Sequence, residues 1–168
     1  MIAQFLLLML ATLLVAAAMW DIASFTIPNN LTIAIAMAFI PFAFTVGLSP
    51  GALGQHFLAG LIALIIGFTM FARNFIGGGD AKLYAGAALW LGLDDMLVYT
   101  LVATMLGGLL TLMVLGLRRF PLPAGLFGQA WLLKLHDARS GIPYGVALAG
   151  GVFAVLPHAQ IFRLAALG

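Results

Sequence analysis

An all-α integral membrane protein, a polytopic bundle of about six transmembrane helices, is the fold class the sequence predicts. Three observations point there. Of 168 residues, 64% are hydrophobic and only 7% charged, with a mean hydropathy of +1.19. A soluble domain carries about a quarter charged residues, and a compact fold of this size keeps too much surface to hide so many apolar side chains. The apolar residues also gather into runs of membrane-spanning length. Finally, the basic residues fall mostly on alternate connections between those runs, the asymmetry that sets orientation.

A helix needs roughly 20 mainly apolar residues to cross the hydrocarbon core. The first run is Ile2 to Trp20. Ala16-Ala17-Ala18 would suit leader cleavage, but no Lys or Arg precedes the run, so it is expected to stay as a span. The second is Leu31 to Leu48, with a kink expected at Pro41 and a cap from Asn29-Asn30 after Pro28 breaks the chain. The third covers about Gly54 to Phe71. The fourth, from around Ala81 to Leu93, has 13 residues, and reaches only ~20 Å of a ~30 Å core. For it to cross, the glycines before it must enter the membrane region too. The fifth runs from Met96 to Leu117 and the sixth from Ile142 to about Ile161.

With six spans and an outer N-terminus, the first, third and fifth connections are cytoplasmic. They carry Arg73, Lys82, Arg118, Arg119, Lys134 and Arg139, leaving Arg163 alone outside. N-out, C-out is therefore expected. The fifth connection mixes Leu126, Phe127, Trp131 and Leu135 with Gln129, Lys134 and His136, which suits either a short interfacial helix or an ordinary loop. Residues 1–168 are read as a single transmembrane domain without a cysteine-containing cytoplasmic domain.

Composition removes several chemistries. With no Cys there are no disulfides, thiolate zinc sites or cysteine nucleophiles. All five acidic residues are Asp, so the H-E-x-x-H motif is excluded. A net charge of +2 and a pI near 9.4 reflect scarce charge, so nucleic acid is not an expected partner and the lipid bilayer is.

An ionisable residue at a membrane boundary is costly and is a functional candidate by default. Asp94-Asp95 fits a turn and Asp137 a polar loop beside Lys134, His136 and Arg139. Asp21 and Asp80 differ. Asp21 follows the first apolar run and precedes a mostly apolar flank, and Asp80 closes Gly77-Gly78-Gly79. Bare backbone at that depth is tolerated only inside protein or a water-filled cavity, and glycines admit another chain closely. The expected topology puts both acids on the cytoplasmic side. Two carboxylates that close cannot both ionise easily, so one can activate water while the other, protonated, polarises a carbonyl. Which acid takes which part is a property of the pair.

Other readings are thinner. A lone G-G-G-D is most often a hinge, and the run matches neither phosphate-loop spacing. Ser24, Ser49 and Ser140 lie in no G-x-S-x-G setting, which weakens a serine nucleophile with His136 or His158. His56 is expected at an interface. Gly145 and Ala149 have the spacing of helix packing. Lys82 either supports Asp80 and a substrate acid or snorkels to lipid phosphates.

At these residues the sequence resembles the type IV prepilin peptidases, aspartic membrane proteases of the G-x-G-D class. The resemblance rests on Asp21 before Ile27-Pro28-Asn29, on Gly77, Gly79, Asp80, Lys82 and Leu83, on the stretch to Gly92, and on Ile142-Pro143-Tyr144-Gly145-Val146-Ala147. The short length and the I-P-N form look most like the Tad/Cpa branch, which serves Flp-type pili; the archaeal preflagellin peptidases are the sister possibility. The resemblance implies Asp21 and Asp80 as the catalytic pair, with Gly77, Gly78, Gly79, Lys82, Pro28 and Asn29 shaping the site or binding substrate, and no metal or cofactor. It implies a prepilin with a short basic leader as substrate, cut at the cytoplasmic face of the inner membrane, with other pilus assembly components as candidate partners. Larger members carry cysteine pairs and N-methylate the product; with no Cys here, methyltransferase activity is expected to be absent.

Two other classes compete. A small ion- or proton-coupled carrier would bind its ion at Asp80 beside a broken helix, although the mid-span positions are almost wholly apolar. A non-enzymatic assembly factor would need neither acid.

Overall fold

The structure, a computed structural model, describes residues 1–123, 125 and 128–167. Among them the regular elements are all helical: α1 (Ile2–Ser24), α2 (Asn29–Thr45), α3 (Pro50–Ala72), α4 (Gly78–Leu117), α5 (Ala130–His136), α6 (Tyr144–Val155), a 3-10 turn (Leu156–His158) and α7 (Gln160–Leu167). Large apolar side chains such as Leu8, Phe44, Met105 and Leu112 point outward. Exposed apolar surface on that scale belongs against lipid.

α1 runs past the expected end at Trp20, so Asp21 lies inside the helix and not after it. Ile22 and Ala23 continue the helical run, and the stop is Phe25, whose left-handed backbone (φ 58) lets its N–H bond the Asp21 carbonyl. The expected asparagine cap of α2 is also corrected. Pro28, extended at φ −61 and ψ 142, is the cap residue, and Asn29 and Asn30 begin the helix itself. Asn30 Oδ1 instead accepts the N–H of Leu31 at 3.0 Å. α2 continues through Pro41 to Thr45. α3 begins ahead of Gly54, because Ser49 Oγ accepts the Ala52 N–H at 3.2 Å and Pro50 takes the first helical position.

α4 is a hairpin of two limbs, 78–91 and 93–117. Gly92 joins them at φ 76 and ψ 178, a conformation open essentially to glycine alone. The Tyr84 hydroxyl lies 2.7 Å from Thr100 Oγ1, and the Tyr84 and Tyr99 rings stack at 5.7 Å. In one straight helix Tyr84 and Thr100 would stand ~24 Å apart at 1.5 Å per residue. The expected separation into Ala81–Leu93 and Met96–Leu117 therefore exists, with its reversal at Gly92. His56, expected at an interface, is buried beneath this turn and donates from Nδ1 to the Leu89 carbonyl at 2.9 Å.

α4 packs most extensively on α3 and α6 and also on α2, while α6 packs on α1 as well. Trp90 in the first limb is fully buried; its indole N–H donates to the Ile35 carbonyl at 2.8 Å, and its ring meets Phe39 and Phe42.

By length and hydropathy, α1, α3 and α4 can each cross a membrane, and the pair Tyr144–His158 and Gln160–Ala166, bent by 57°, makes up to a fourth. The sixth expected run is thus not straight: Pro157 sits in the 3-10 turn that breaks it. Of the two readings of the fifth connection, a short helix forms, α5, with no buried residue. Its expected neighbours Ala124, Leu126 and Phe127 lie outside the described residues. The Arg118 guanidinium holds this arm, donating to the carbonyls of Leu135 (2.8 Å) and Ser140 (3.1 Å).

Candidate active site

Three helix ends meet at one end of the molecule: the last turn of α1, the first turn of α4 and the first turn of α6. Their convergence follows from α6 packing on both other helices. Asp21 comes from the first, Asp80 from the second, and both are more than nine-tenths buried. Among the described residues they are, with His56 and Thr32, buried polar or charged side chains in a mostly apolar core. Buried carboxylates demand hydrogen-bond donors.

Asp80 is the third residue of α4, and its Oδ2 accepts the N–H of Gly77, the residue that caps the helix, at 3.1 Å. Its Oδ1 is buried without a hydrogen-bond partner among the described residues. Asp21 Oδ2 accepts the N–H of Gly145, in the first turn of α6, at 2.7 Å. Both acids therefore take a donor from the N-terminal end of a helix, where amides lack intrahelical partners and the dipole favours negative charge. The two carboxylates lie close enough for their charges to interact.

Asp80 also lines a cavity of about 470 Å³ between the α4 limbs, α3 and α6. Its walls are mainly apolar, from Ile66, Met70 and Phe75 to Ala103, Gly107 and Ala147, with Tyr84, Thr100, Thr104 and Tyr144 supplying hydroxyls. A mainly apolar cleft with a few convergent polar groups is the usual form of a ligand site. Asp21, on α1, is not part of this lining.

The remaining expected site residues are placed as follows. Gly77 caps α4, and Gly78 and Gly79 are its first helical residues, so the glycine run is the helix start and not a hinge. At Gly79 a Cβ would stand 2.9 Å from Ile27 Cβ and 3.1 Å from the Ile27 backbone nitrogen and oxygen, which leaves no room for a side chain. At Gly78 it would meet the edge of the Phe71 ring at 3.3 Å. Pro28 and Asn29 open α2 beside this point, and the exposed Lys82 donates to Asn29 Oδ1 at 2.7 Å, tying α2 to α4. Lys82 is thus engaged within the protein and its ammonium turns to Asn29.

Sequence reasoning missed two participants. Gly145 was expected as a helix-packing residue, yet it supplies the donor to Asp21, and a Cβ there would lie 2.9 Å from Asp21 Oδ2 and 2.9 Å from Ile27 Cδ1. The segment Ile142–Ala147 carried that signal. Ile27, buried, was marked only as part of the Ile27-Pro28-Asn29 segment that carries the resemblance, with no role of its own. The serine alternative finds no support: Ser24 Oγ bonds Trp20 O (2.8 Å), Ser49 caps α3, and His136 donates to the Phe120 carbonyl at 2.6 Å. Among the described residues, no group of three or more acidic or His side chains could hold a metal ion.

No curated protein and no solved structure matches the chain. Residues 8–112 match the model of the type IV leader peptidase family, a stretch that includes Asp21 and Asp80, and the chain belongs to that family, whose members are proteases with prepilin-like substrates.

Proposed function

We propose that this chain is an aspartic endopeptidase of the inner membrane that removes the short basic leader from Flp-type prepilins at the cytoplasmic face. Asp21 and Asp80 form the catalytic pair, and the product amine is left unmethylated. The observation that carries this reading is two buried carboxylates on helix ends that converge on Ile27, one of which has an oxygen without a partner among the described residues and borders an apolar cavity. Six spans with both termini outside, the arrangement favoured by Arg and Lys on alternate connections, would bring the pair to the cytoplasmic rim.

The chemistry needs the two carboxylates brought together around one proton, as in other carboxylate pairs. The ionised carboxylate takes a proton from water as its oxygen attacks the scissile carbonyl carbon. The protonated one donates a hydrogen bond, then its proton, to the carbonyl oxygen. When the tetrahedral intermediate collapses, the carboxyl that gained the water proton gives it to the leaving amine, and a hydroxyl of the intermediate returns its proton to the other carboxylate as the new carbonyl forms, restoring the singly protonated pair. No metal or cofactor enters. The cavity beside Asp80 would seat apolar side chains next to the cut and keep bulk water from the pair.

The test is mass spectrometry of a co-expressed pilin precursor. Wild type yields the mature N-terminus, without an added methyl; Asp21→Asn and Asp80→Asn leave the precursor intact while the protein accumulates in the membrane. Full processing by either variant removes that acid from the mechanism. An intact precursor beside wild type, together with ion flux in proteoliposomes, would favour a carrier.

A further inference from the structure

The helix starts that hold the two acids press on one side chain. Ile27, in the connection between α1 and α2, is nearly buried at 7% exposure. Its Cβ and backbone press on Gly79, the residue before Asp80, so closely that a Cβ there would lie 2.9 Å away. Its Cδ1 presses on Gly145, the donor to Asp21, where a Cβ would again lie 2.9 Å away. Two of the three helix ends that make the site thus present a glycine face to the same isoleucine, and the third reaches it through the chain between Asp21 and Ile27.

We infer that Ile27 is a positioning residue: a rigid wedge between Gly79 and Gly145 that sets the separation of the Asp21 and Asp80 carboxylates. This rests on the proteolytic reading above. The choice of residue is physically apt. An isoleucine is branched at Cβ and stiff about χ1, and Pro28 after it restricts its backbone to extended conformations. A wedge made this way transmits position with little give. Glycines on both sides let backbone, and not a mobile side chain, form the contact. Three cations at this end are engaged elsewhere: Lys82 bonds Asn29, Lys134 donates to the Ser24 carbonyl at 2.7 Å, and Arg118 donates to the Leu135 and Ser140 carbonyls.

The test uses the full chain in lipid vesicles with a prepilin precursor, reading kcat, KM and the pH profile of kcat. Ile27→Val removes only the Cδ1 that touches Gly145; Ile27→Ala removes the γ-carbons as well. Misplacing catalytic groups by about 1 Å costs on the order of 10²-fold, so Ile27→Ala should lower kcat about 10²-fold and Ile27→Val about 10-fold, with KM within about twofold. The interval between the acid and alkaline limbs of the profile should also change in Ile27→Val, since it reports the coupling of the two carboxylates. A merely structural residue would lower the amplitude and leave that interval alone, and this result overturns the inference. So does a rise in KM at unchanged kcat. Ile27→Val preserves most of the packing, so it is the deciding variant should Ile27→Ala fail to accumulate. Inactive Asp21→Asn and Asp80→Asn beside a fully active Ile27→Ala would sink the wedge alone; an active Asp variant would sink both readings.

Discussion

Replacing Gly145 by Ala tests whether the backbone at the start of α6 holds Asp21. The new methyl would lie 2.9 Å from Asp21 Oδ2, 2.9 Å from Ile27 Cδ1 and 3.1 Å from Asp21 Cβ. Carbon contacts settle near 3.5 Å, so the start of α6 must retreat by about 0.4 Å from Asp21 Cβ, and by more where Ile27 Cδ1 does not rotate away. Ile27 Cδ1 and Asp21 Oδ2 are side-chain ends, but Asp21 Cβ is fixed to the α1 backbone, so that contact is relieved only by moving α6. The retreat stretches the 2.7 Å bond from the Gly145 N–H to Asp21 toward the limit of a hydrogen bond. Loss of a hydrogen bond to a charged group costs about 1.5–3 kcal/mol, and transferred wholly to the barrier this is about 10- to 100-fold in rate. Helix propensity works the other way, since Ala in a helix is favoured over Gly by about 1 kcal/mol, so the protein should accumulate normally. Cleavage of a purified precursor by purified Gly145→Ala, compared with wild type at equal membrane content, reads the effect. Wild-type turnover would refute the argument, because the methyl cannot be accommodated without moving the donor.

Four further outcomes are expected. Asp94→Asn, at an exposed position beyond the α4 reversal, should be nearly silent in the same cleavage assay, and an inactive enzyme there would mean the wrong carboxylates were chosen. Gly79→Ala should abolish processing because its Cβ meets Ile27 backbone as well as side chain, whereas Gly78→Ala meets only a Phe71 ring edge at 3.3 Å that can swing aside, and should retain activity within about threefold. Equal loss in both would deny any special contact at Gly79. Gly92→Ala should cost about 1–3 kcal/mol from strained backbone alone, plus the contact with His56 Cε1 at 3.0 Å, and lower the thermal midpoint measured in detergent. Lys82→Met should reduce cleavage no more than about tenfold, as an exposed hydrogen bond is worth about 0.5–1.5 kcal/mol, and Asn29→Ala in that background should add nothing, since the two side chains bond each other. A large rise in KM for Lys82→Met alone would instead return Lys82 to substrate binding.

Much of the fold could be read along the chain because membrane helices declare themselves by length and apolarity. The split between Ala81–Leu93 and Met96–Leu117 was legible for the same reason, since neither half alone fits one 40-residue span. What escaped were helix ends and long-range contacts. Asp21 was expected outside its helix because a carboxylate after an apolar run looks like a boundary, while the true stop was the left-handed Phe25. Pro157 turned the last run because a proline near a helix end frees carbonyls that a 3-10 turn can satisfy. Asp21 and Asp80 stood out in the sequence through the cost of placing charge in an apolar setting. Gly145 and Ile27 bear no such cost. Their part in the site lies in a backbone N–H and in shape, and neither is written in residue type.

That difference explains why a site with two acids contains no basic side chain bonded to either. Arg or Lys beside each carboxylate would satisfy it, but each would bring its own desolvation cost into the apolar bundle. It would also favour the ionised form of both acids, and a pair with two negative charges has no proton to donate to a carbonyl. A backbone N–H carries only a partial charge and costs nothing extra to bury, because the first amides of a helix lack partners in any case. α4 and α6 each begin with a glycine-bearing turn that supplies one such amide, from Gly77 to Asp80 and from Gly145 to Asp21. Each carboxylate thereby gains one donor on Oδ2, and in Asp80 the other oxygen has no partner among the described residues. The glycines are needed because the amide must approach the carboxylate without a side chain intervening. One donor per acid steadies the pair without forcing both to ionise, so the low charge of the chain is itself a condition of the proposed chemistry.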